Sequence, residues 1–324
     1  MTSTAQHALP SGFGADSTAS QVLAGIDLTG QTAIVTGGYS GLGIETVAAL
    51  AGAGAQVIVP ARRPEVARAA LAVRGLTTVD VDALDLADLG SVRAFAERFL
   101  ATGRGVNILI NNAAVMAAPL TRVGDGWESQ FATNHLGHYV LTNLLWPALA
   151  ATPGARVVAL SSTGHKLSGI RFDDPQFTDG YDKWLAYGQA KTANSLFAVQ
   201  LDALAAAHGV RAFAVHPGGI MTELQRHLPR EEMIAAGWMT EDGTVNSRFK
   251  TPEQGAATAT WAATSPMLDG RGGVYLEDCD IAEPTVTDSP TARIAGVNPH
   301  AIDAEAAARL WALSAELTGV DAFA

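Results

Sequence analysis

The stretch "TAIVTGGYSGLGIETVAALAGAGA", residues 32–55, decides the fold. An apolar, β-branched run (32–38) passes through closely set glycines into a helical pattern. Gly37, Gly41 and Gly43 form a GxxxGxG spacing between strand and helix. Glycine is needed where a turn is tight, where backbone meets a pyrophosphate and where a helix packs on a strand. The helix then offers free N–H groups and the positive end of its dipole to phosphate. Tyr39, Ser40 and Leu42 fill out the same loop. Glycine is frequent here, 33 of 324 residues, so placement carries the argument rather than count. The bland alternative is a tight strand–helix turn that holds no ligand.

Working outward, the same rhythm repeats. "AQVIVPA" (55–61), "TTVDVDA" (77–83), "VNILINNAA" (106–114), "ARVVALSS" (155–162) and "VRAFAVHP" (210–217) read as strands. Most are nearly continuous apolar runs, as expected when both sheet faces are covered. Helical patterns separate them. In "SVRAFAERFLATG", Val92, Phe95, Ala96, Phe99 and Leu100 recur at the spacing of one buried helix face, and Gly103 ends it. Strand–helix alternation at these intervals implies parallel strands and right-handed crossovers. The fold expected is α/β: a Rossmann-type doubly wound parallel sheet in a single domain with a helical substrate lid. Residues 1–24 read as an N-terminal arm and residues 25–324 as the domain. The lid is expected at about 223–250 and a closing helix at about 301–317.

Bulk properties narrow the function. The formal net charge of −11 repels a phosphate backbone, which argues against nucleic acid as partner. Apolar residues make up 48% and charged residues 16%, enough to bury a full core. A single cysteine, Cys279, permits no internal disulfide and fits a reducing, cytoplasmic setting. The first twenty residues lack the basic and apolar regions of a secretory signal. The most apolar segment, "YVLTNLLWPALAA", is too short for a membrane span and reads as a core helix.

The second strand ends in "PARRPE". A carboxylate here would bind the ribose 2′-hydroxyl of NAD. Arg62 and Arg63 stand there instead, and a guanidinium pairs with a 2′-phosphate. This favours NADP(H), with NAD(H) as the alternative cofactor and a solvated arginine pair as the bland reading. Asp85, beside Leu86 after the third strand, can accept from an adenine amino group or simply hold a turn.

Tyr187 and Lys191, in "YGQAK" (187–191), lie four apart and share a helix face. A nearby ammonium favours phenolate, so Lys191 is expected to lower the Tyr187 pKa towards working pH. Tyr181 and Lys183 make no such pair; Tyr181 and Trp184 are expected to end a long insert and wall the substrate pocket. Ser162 sits just past a buried strand, whose carboxyl end faces the ligand crevice in such a sheet. Ser161 and Thr163 compete for its place. Taken singly, each of these residues has an ordinary structural reading, as a surface pair or a strand cap.

Together the motifs resemble the short-chain dehydrogenase/reductase family. The resemblance covers roughly residues 28–280 and rests on "TGGYSGLG" (36–43), "NNAA" (111–114), "NHLGH" (134–138), "LSS" (160–162), "YGQAK" (187–191) and "HPGGIMT" (216–222), in the family's order. It looks most like the branch of retinol dehydrogenases and WW-domain oxidoreductases. Ala114 and Ala159 depart from the residues often found in the family at these places. The resemblance implies catalytic Asn134, Ser162, Tyr187 and Lys191, with Asn134 holding a water in a proton path. It also implies that Asn111, Asn112, Ala113, Pro217, Gly218, Ile220 and Thr222 line the cofactor, and that Lys191 reaches the nicotinamide ribose. Association as a homodimer or homotetramer, through the helices carrying Asn134 and Tyr187, is implied in the same way.

The chemistry that follows is hydride transfer between a nicotinamide and a carbonyl or alcohol, with Tyr187 as general acid/base. A cofactor-binding sensor without catalysis is the alternative from another class, and an extended-type epimerase or dehydratase ranks lower. His135, His138, His165 and His216 lack metal-ligand spacing and are read as hydrogen-bonding residues. No hydrolase nucleophile elbow surrounds Ser162. Leu224, Leu228, Met233, Ile234, Trp238 and Met239 offer the lid an adaptable apolar lining, so the substrate expected is a small hydrophobic carbonyl or alcohol.

Overall fold

The computed structural model describes residues 4–324; the first three residues of the expected arm lie outside the described residues. The strands in chain order are β1 (Thr32–Val35), β2 (Gln56–Ala61), β3 (Asp80–Ala83), β4 (Ile108–Asn111), β5 (Arg122–Val123), β6 (Trp127–Glu128), β7 (Arg156–Leu160), β8 (Arg211–His216), β9 (Val274–Glu277) and β10 (Asp280–Ile281). β5 and β6 form a separate hairpin. The other eight make one sheet in the order β10-β9-β8-β7-β4-β1-β2-β3. Its neighbours pair in parallel except β9 and β10.

The helices are α1 (Ala19–Val22), α2 (Gly41–Gly52), α3 (Pro64–Val73), α4 (Leu89–Leu100), α5 (Ser129–Phe131), α6 (Gly137–Leu144), α7 (Trp146–Ala150), α8 (Lys183–Ala205), α9 (Arg230–Ala235), α10 (Pro252–Gly255), α11 (Ala257–Thr264) and α12 (Ala304–Thr318). A π-helical turn, Ala132–Leu136, joins α5 to α6.

The apolar strands divide by parity into two cores. Ile34, Leu109 and Val157 face one way, against Phe95 of α4, Leu141 of α6 and Phe197 of α8. Ala33, Val35, Ile108, Ile110 and Val158 face the other, against Val47 and Leu50 of α2 and Trp261 of α11. A strand buried on both faces must be apolar throughout, which is why these segments show no alternation. Chain direction across the sheet switches between β1 and β4, so a crevice opens at their carboxyl ends.

Each expected strand is present, shorter at its ends. Thr36–Gly38, Asn112–Ala114 and Ser161–Ser162 leave the ladder to form the loops above the sheet. The β9–β10 pair was not foreseen. β9 has four residues, and the turn to β10 places Asp278 and Cys279 at φ +50° and +60° without a glycine. The usual sequence signal of a tight hairpin is therefore missing.

Within 223–250 the helical content is one 3-10 turn, Glu223–Gln225, and α9; the rest is turns. The base of this segment is closed by bridges between Ile220 and Lys250 and between Met239 and Val245. Residues 4–11 lie along the β9–β10 edge, and α1 packs with α2 and α11. The Gln6 amide donates to the Tyr275 and Ala282 carbonyls and accepts from the Tyr275 N–H. Asp280 accepts from the N–H groups of Leu9 and Ser11.

α12 lies across the helices that carry Asn134 and Tyr187. Its Ala307 and Leu310 pack with Phe131, Leu136, Ala193 and Leu196. Trp311 sits 4.8 Å from the Tyr139 ring and stacks on Phe197 at 5.8 Å. The surface through which the resemblance implied association is thus covered by the chain's own C-terminal helix. No helix among the described residues is long and apolar enough to cross a membrane.

Candidate active site

The parallel register sets the loops side by side. Val35 pairs with Ile110, Asn111 with Ala159 and Leu160 with Val215, so the ends of β1, β4, β7 and β8 form one rim. At the first loop, Gly37 and Gly41 adopt φ +64° and +54°, which L side chains rarely tolerate. A Cβ at Gly43 would fall 2.4 Å from the Gly37 carbonyl oxygen, so helix and strand approach closely there. Ser40 is the N-cap of α2 but makes no side-chain cap bond, which leaves the first N–H groups of α2 for a phosphate. These features fit a dinucleotide. Leu42 and Gly41 also meet the opposite loop: Thr222 lies 3.4 Å from a Cβ built on Gly41, and Ile220 and Leu42 flank Gly255. Gly218, at φ +100°, lies against the Lys250 side chain. Pro217 is half-buried between them.

Thr36, which sequence reasoning passed over, is the knot behind this loop. Its hydroxyl accepts from the N–H groups of Asn112 and Ala113 and meets His138 Nε2 at 2.8 Å. The Asn112 amide donates to the Thr36 carbonyl. His138 Nδ1 faces the Asn134 carbonyl at 3.0 Å; a carbonyl only accepts, so Nδ1 carries the proton and Nε2 accepts from Thr36. Asn134, in the π-turn, holds Val115 by both its N–H and its carbonyl.

Asn111, Asp85 and Leu86, expected at the cofactor, are also tied into the fold. Asn111 is buried, and its amide donates to Thr142 on α6. Asp85 is a turn residue whose carboxylate accepts from the Ala87 N–H. Leu86 is buried, with its carbonyl closely packed over Gly137. Tyr39 packs half-buried against the core layer of β1 and β2. Arg62 and Arg63 are exposed at the end of β2, and neither is in a salt bridge among the described residues.

Asp182 caps α8 by accepting from the N–H groups of Trp184 and Leu185 at 2.8 Å. This fixes the first turn of the helix that carries Tyr187 and Lys191. Both are buried, at 5% and 3% exposure. The Lys191 ammonium lies 5.5 Å from the Tyr187 ring centre and donates to the Leu160 carbonyl at 2.8 Å. Burial pushes the Tyr187 phenol up to about 12 and the Lys191 ammonium down to about 7. The expected lowering of the phenol by Lys191 is therefore overturned: burial sets the direction of both shifts. The Ser162 hydroxyl, close to the phenol, offsets part of the rise.

Ser161 does not compete with Ser162. Its hydroxyl is buried and donates to the Lys191 carbonyl. Thr163 begins the 3-10 turn that Ser162 caps by accepting from Gly164 N–H. Tyr181 is a strut: its hydroxyl donates to the Ala118 carbonyl and accepts from Gln130. Trp184 meets the Tyr187 ring edge-on at 6.3 Å and Trp238 at 5.9 Å. Met116, Leu228, Leu224, Met233 and Trp238 join Trp184 in one apolar cluster around Tyr187; Ile234 and Met239 stay outside it. Glu232 of α9, which sequence reasoning missed, accepts from the Lys183 ammonium and from Trp184 Nε1 at 2.5 and 2.8 Å. An isolated glutamate in a polar segment carries no signal that points to a tryptophan about fifty residues away.

The histidines are engaged in hydrogen bonds: His135 with Ser314, His138 with Thr36 and Asn134, and His165 with Ser162 and Asn298.

A family model described as "short chain dehydrogenase" matches residues 31–233. A probable oxidoreductase of Streptomyces lividans is 46% identical over 299 residues, 90% of this chain and 98% of the relative. Retinol dehydrogenase 12 of Mus musculus is 38% identical over 301 residues, 91% of this chain and 88% of the relative. The crystal structure of an uncharacterised protein from Mycobacterium paratuberculosis superposes with a TM-score of 0.70 at 34% identity, covering 92% of this chain and 96% of that one. With the glycine loop, the Ser162–Tyr187–Lys191 cluster and these likenesses in agreement, the chain belongs to the short-chain dehydrogenase/reductase family, in its retinol dehydrogenase-like branch.

Proposed function

We propose that the chain is an NADP(H)-dependent oxidoreductase acting on a hydrophobic ketone, aldehyde or secondary alcohol, with Tyr187 as general acid/base. One observation carries this reading. The Tyr187 phenol is buried where two surroundings meet, with Ser162 and Lys191 on one side and the Met116–Leu228–Trp184 cluster on the other.

A bound nicotinamide dinucleotide would supply or accept the hydride. The uncapped N-terminus of α2 and the Gly37–Gly43 loop would hold its phosphates, and Arg62, with Arg63 beside it, would meet a 2′-phosphate. Thr222, Ile220, Gly218 and Pro217 close the opposite wall. The Ser162 hydroxyl donates to the substrate oxygen and orients it. Tyr187, held protonated by burial, gives its proton to that oxygen as the carbonyl becomes an alcohol. A phenol that stays protonated through the neutral range suits the reductive direction. Lys191, near neutral charge balance at about 7, can pass a proton on behind the phenol. The apolar cluster excludes water and selects hydrophobic substrates. The unpaired, buried Cys279 suits a cytoplasmic setting.

A panel of ketones and aldehydes with NADPH and NADH, followed at the nicotinamide absorbance, tests this reading. Turnover with NADPH above NADH is expected. A preference for NADH overturns the role of Arg62, and silence across the panel overturns the reductase reading.

A further inference from the structure

We propose that His165 is a positioning residue for Ser162: a neutral strut that ties the serine turn to the C-terminal segment 283–302. The proposal rests on the reading of Ser162 as the hydroxyl that meets the substrate oxygen.

His165 is fully buried. Its Nδ1 lies 2.7 Å from the Ser162 carbonyl oxygen, and its Nε2 lies 3.1 Å from the Asn298 N–H. A carbonyl accepts and an amide N–H donates. One tautomer alone, protonated at Nδ1, satisfies both partners. An imidazolium would set a second N–H against that of Asn298. Burial, with smaller contributions from Lys166 and His300 beside it, pulls the imidazole down to about 4. Tyr275 packs edge-on against the ring at 5.0 Å, and no carboxylate is among the groups that shift it. The ring therefore stays neutral through the working range and serves as a fixed donor–acceptor link.

The backbone on either side of His165 is held as firmly. Its carbonyl accepts from Thr192 of α8 and from His300 Nε2. The neighbouring Lys166 ammonium donates to Thr285 Oγ1, the Ala295 carbonyl and Asn298 Oδ1. On the other side the turn is pressed against the catalytic helix. A Cβ at Gly164 would fall 2.7 Å from the Tyr187 ring, and one at Gly188 would fall 3.0 Å from the Gly164 carbonyl. Gly164 N–H in turn donates to the Ser162 hydroxyl. Ser162 is thus set between Tyr187 and a wall built by His165 from a segment beyond residues 31–233, the stretch the family model matches. His165 contacts the serine's main chain; it acts through Ser162.

The test uses the full chain with its best carbonyl substrate and NADPH. A carboxamide, like neutral imidazole, offers a donor nitrogen at one atom and an acceptor at another and carries no charge, so His165→Gln can mimic the strut. His165→Phe keeps the ring against Tyr275 and loses both bonds. We expect His165→Phe to lower kcat about 10- to 100-fold, with KM and NADPH affinity changed less than about threefold. His165→Gln should recover kcat to within about fivefold, with an unaltered pH profile. A double-mutant cycle with Ser162→Ala should be strongly non-additive, because the strut has nothing to position once the hydroxyl is gone. Additive losses overturn the strut and leave the role of Ser162 standing. A Ser162→Ala enzyme with full activity overturns the underlying reading itself. If His165→Phe does not fold, the Gln variant decides: inactive while folded, or missing a limb of the pH profile, it overturns the proposal.

Discussion

The Lys191 ammonium points at the carbonyl of Leu160, 2.8 Å away, and leaves the Tyr187 phenol to Ser162. Of the two roles open to this lysine, tuning an acid and anchoring a strand end, the bond to Leu160 serves the second. Burial keeps the phenol protonated, as the proposed carbonyl reduction requires of its acid. Tyr187→Phe is expected to lower kcat by a factor of about 10² to 10⁴ while NADPH still binds. Steady-state turnover together with a cofactor titration checks this, and unchanged turnover removes Tyr187 as the acid. Tyr181→Phe should leave kcat within about twofold, because its hydroxyl holds the Ala118 carbonyl rather than a substrate.

The Glu232 carboxylate joins the 223–250 segment to α8 at Trp184 and Lys183. The ion pair is about one-third exposed on both partners, so its direct worth is small, about 0–1 kcal/mol. Its effect lies in fixing the indole that walls Tyr187. Glu232→Ala should raise KM for bulky carbonyls about two- to tenfold and leave small aldehydes nearly unaffected. The ratio of kcat/KM between a bulky and a small substrate measures this. An unchanged ratio would mean that the indole is held by Trp238 and Tyr187 alone.

The sheet was legible in the sequence because strands buried on both faces must be apolar, and Thr32–Val35, Ile108–Asn111 and Arg156–Leu160 supply that signal locally. The glycine loop was legible because backbone conformation at Gly37 and Gly41 restricts residue type. Tyr187 and Lys191 were legible through helical spacing. What stayed hidden is long-range. Thr36 with His138, Glu232 with Trp184 and His165 with Asn298 join residues 48 to 133 positions apart, and none leaves a periodic trace. The sign of the Tyr187 shift was misjudged because spacing reveals the neighbouring charge and says nothing of burial. The bond from Asn111 to Thr142 was hidden in the same way, because it depends on how α6 lies against β4.

The C-terminal helix is a structural element of the site's scaffold. Trp311 fills the space between Tyr139 and Phe197, and Ser314 meets His135 at 2.8 Å. Trp311→Ala should cost about 3–5 kcal/mol through loss of apolar burial and the cavity left behind. Denaturant unfolding checks the magnitude. A loss below about 1 kcal/mol would show that α12 contributes little to the fold and merely rests on α6 and α8.

Acid should weaken the fold through its buried histidines, starting above the ordinary carboxylate range. Burial pulls His135 and His216 down to about 3 and His138 and His165 down to about 4. Unfolded histidine titrates near 6.5. As pH falls below that value the unfolded chain takes up protons that the folded chain refuses, so stability declines with falling pH. The decline begins near pH 6.5 and levels off only near pH 3–4, where the folded histidines also charge. Each histidine contributes at most about 2 kcal/mol of this loss at pH 5. Lys191 acts in the same sense higher up, between its ordinary value near 10.4 and about 7. Stability should therefore rise from pH 5 towards pH 9, measured as the denaturant midpoint at constant ionic strength. His165→Gln should flatten the acid limb by its own share, because a carboxamide has no proton to refuse, and an acid limb of undiminished slope in that variant would mean that His165 is not buried neutral.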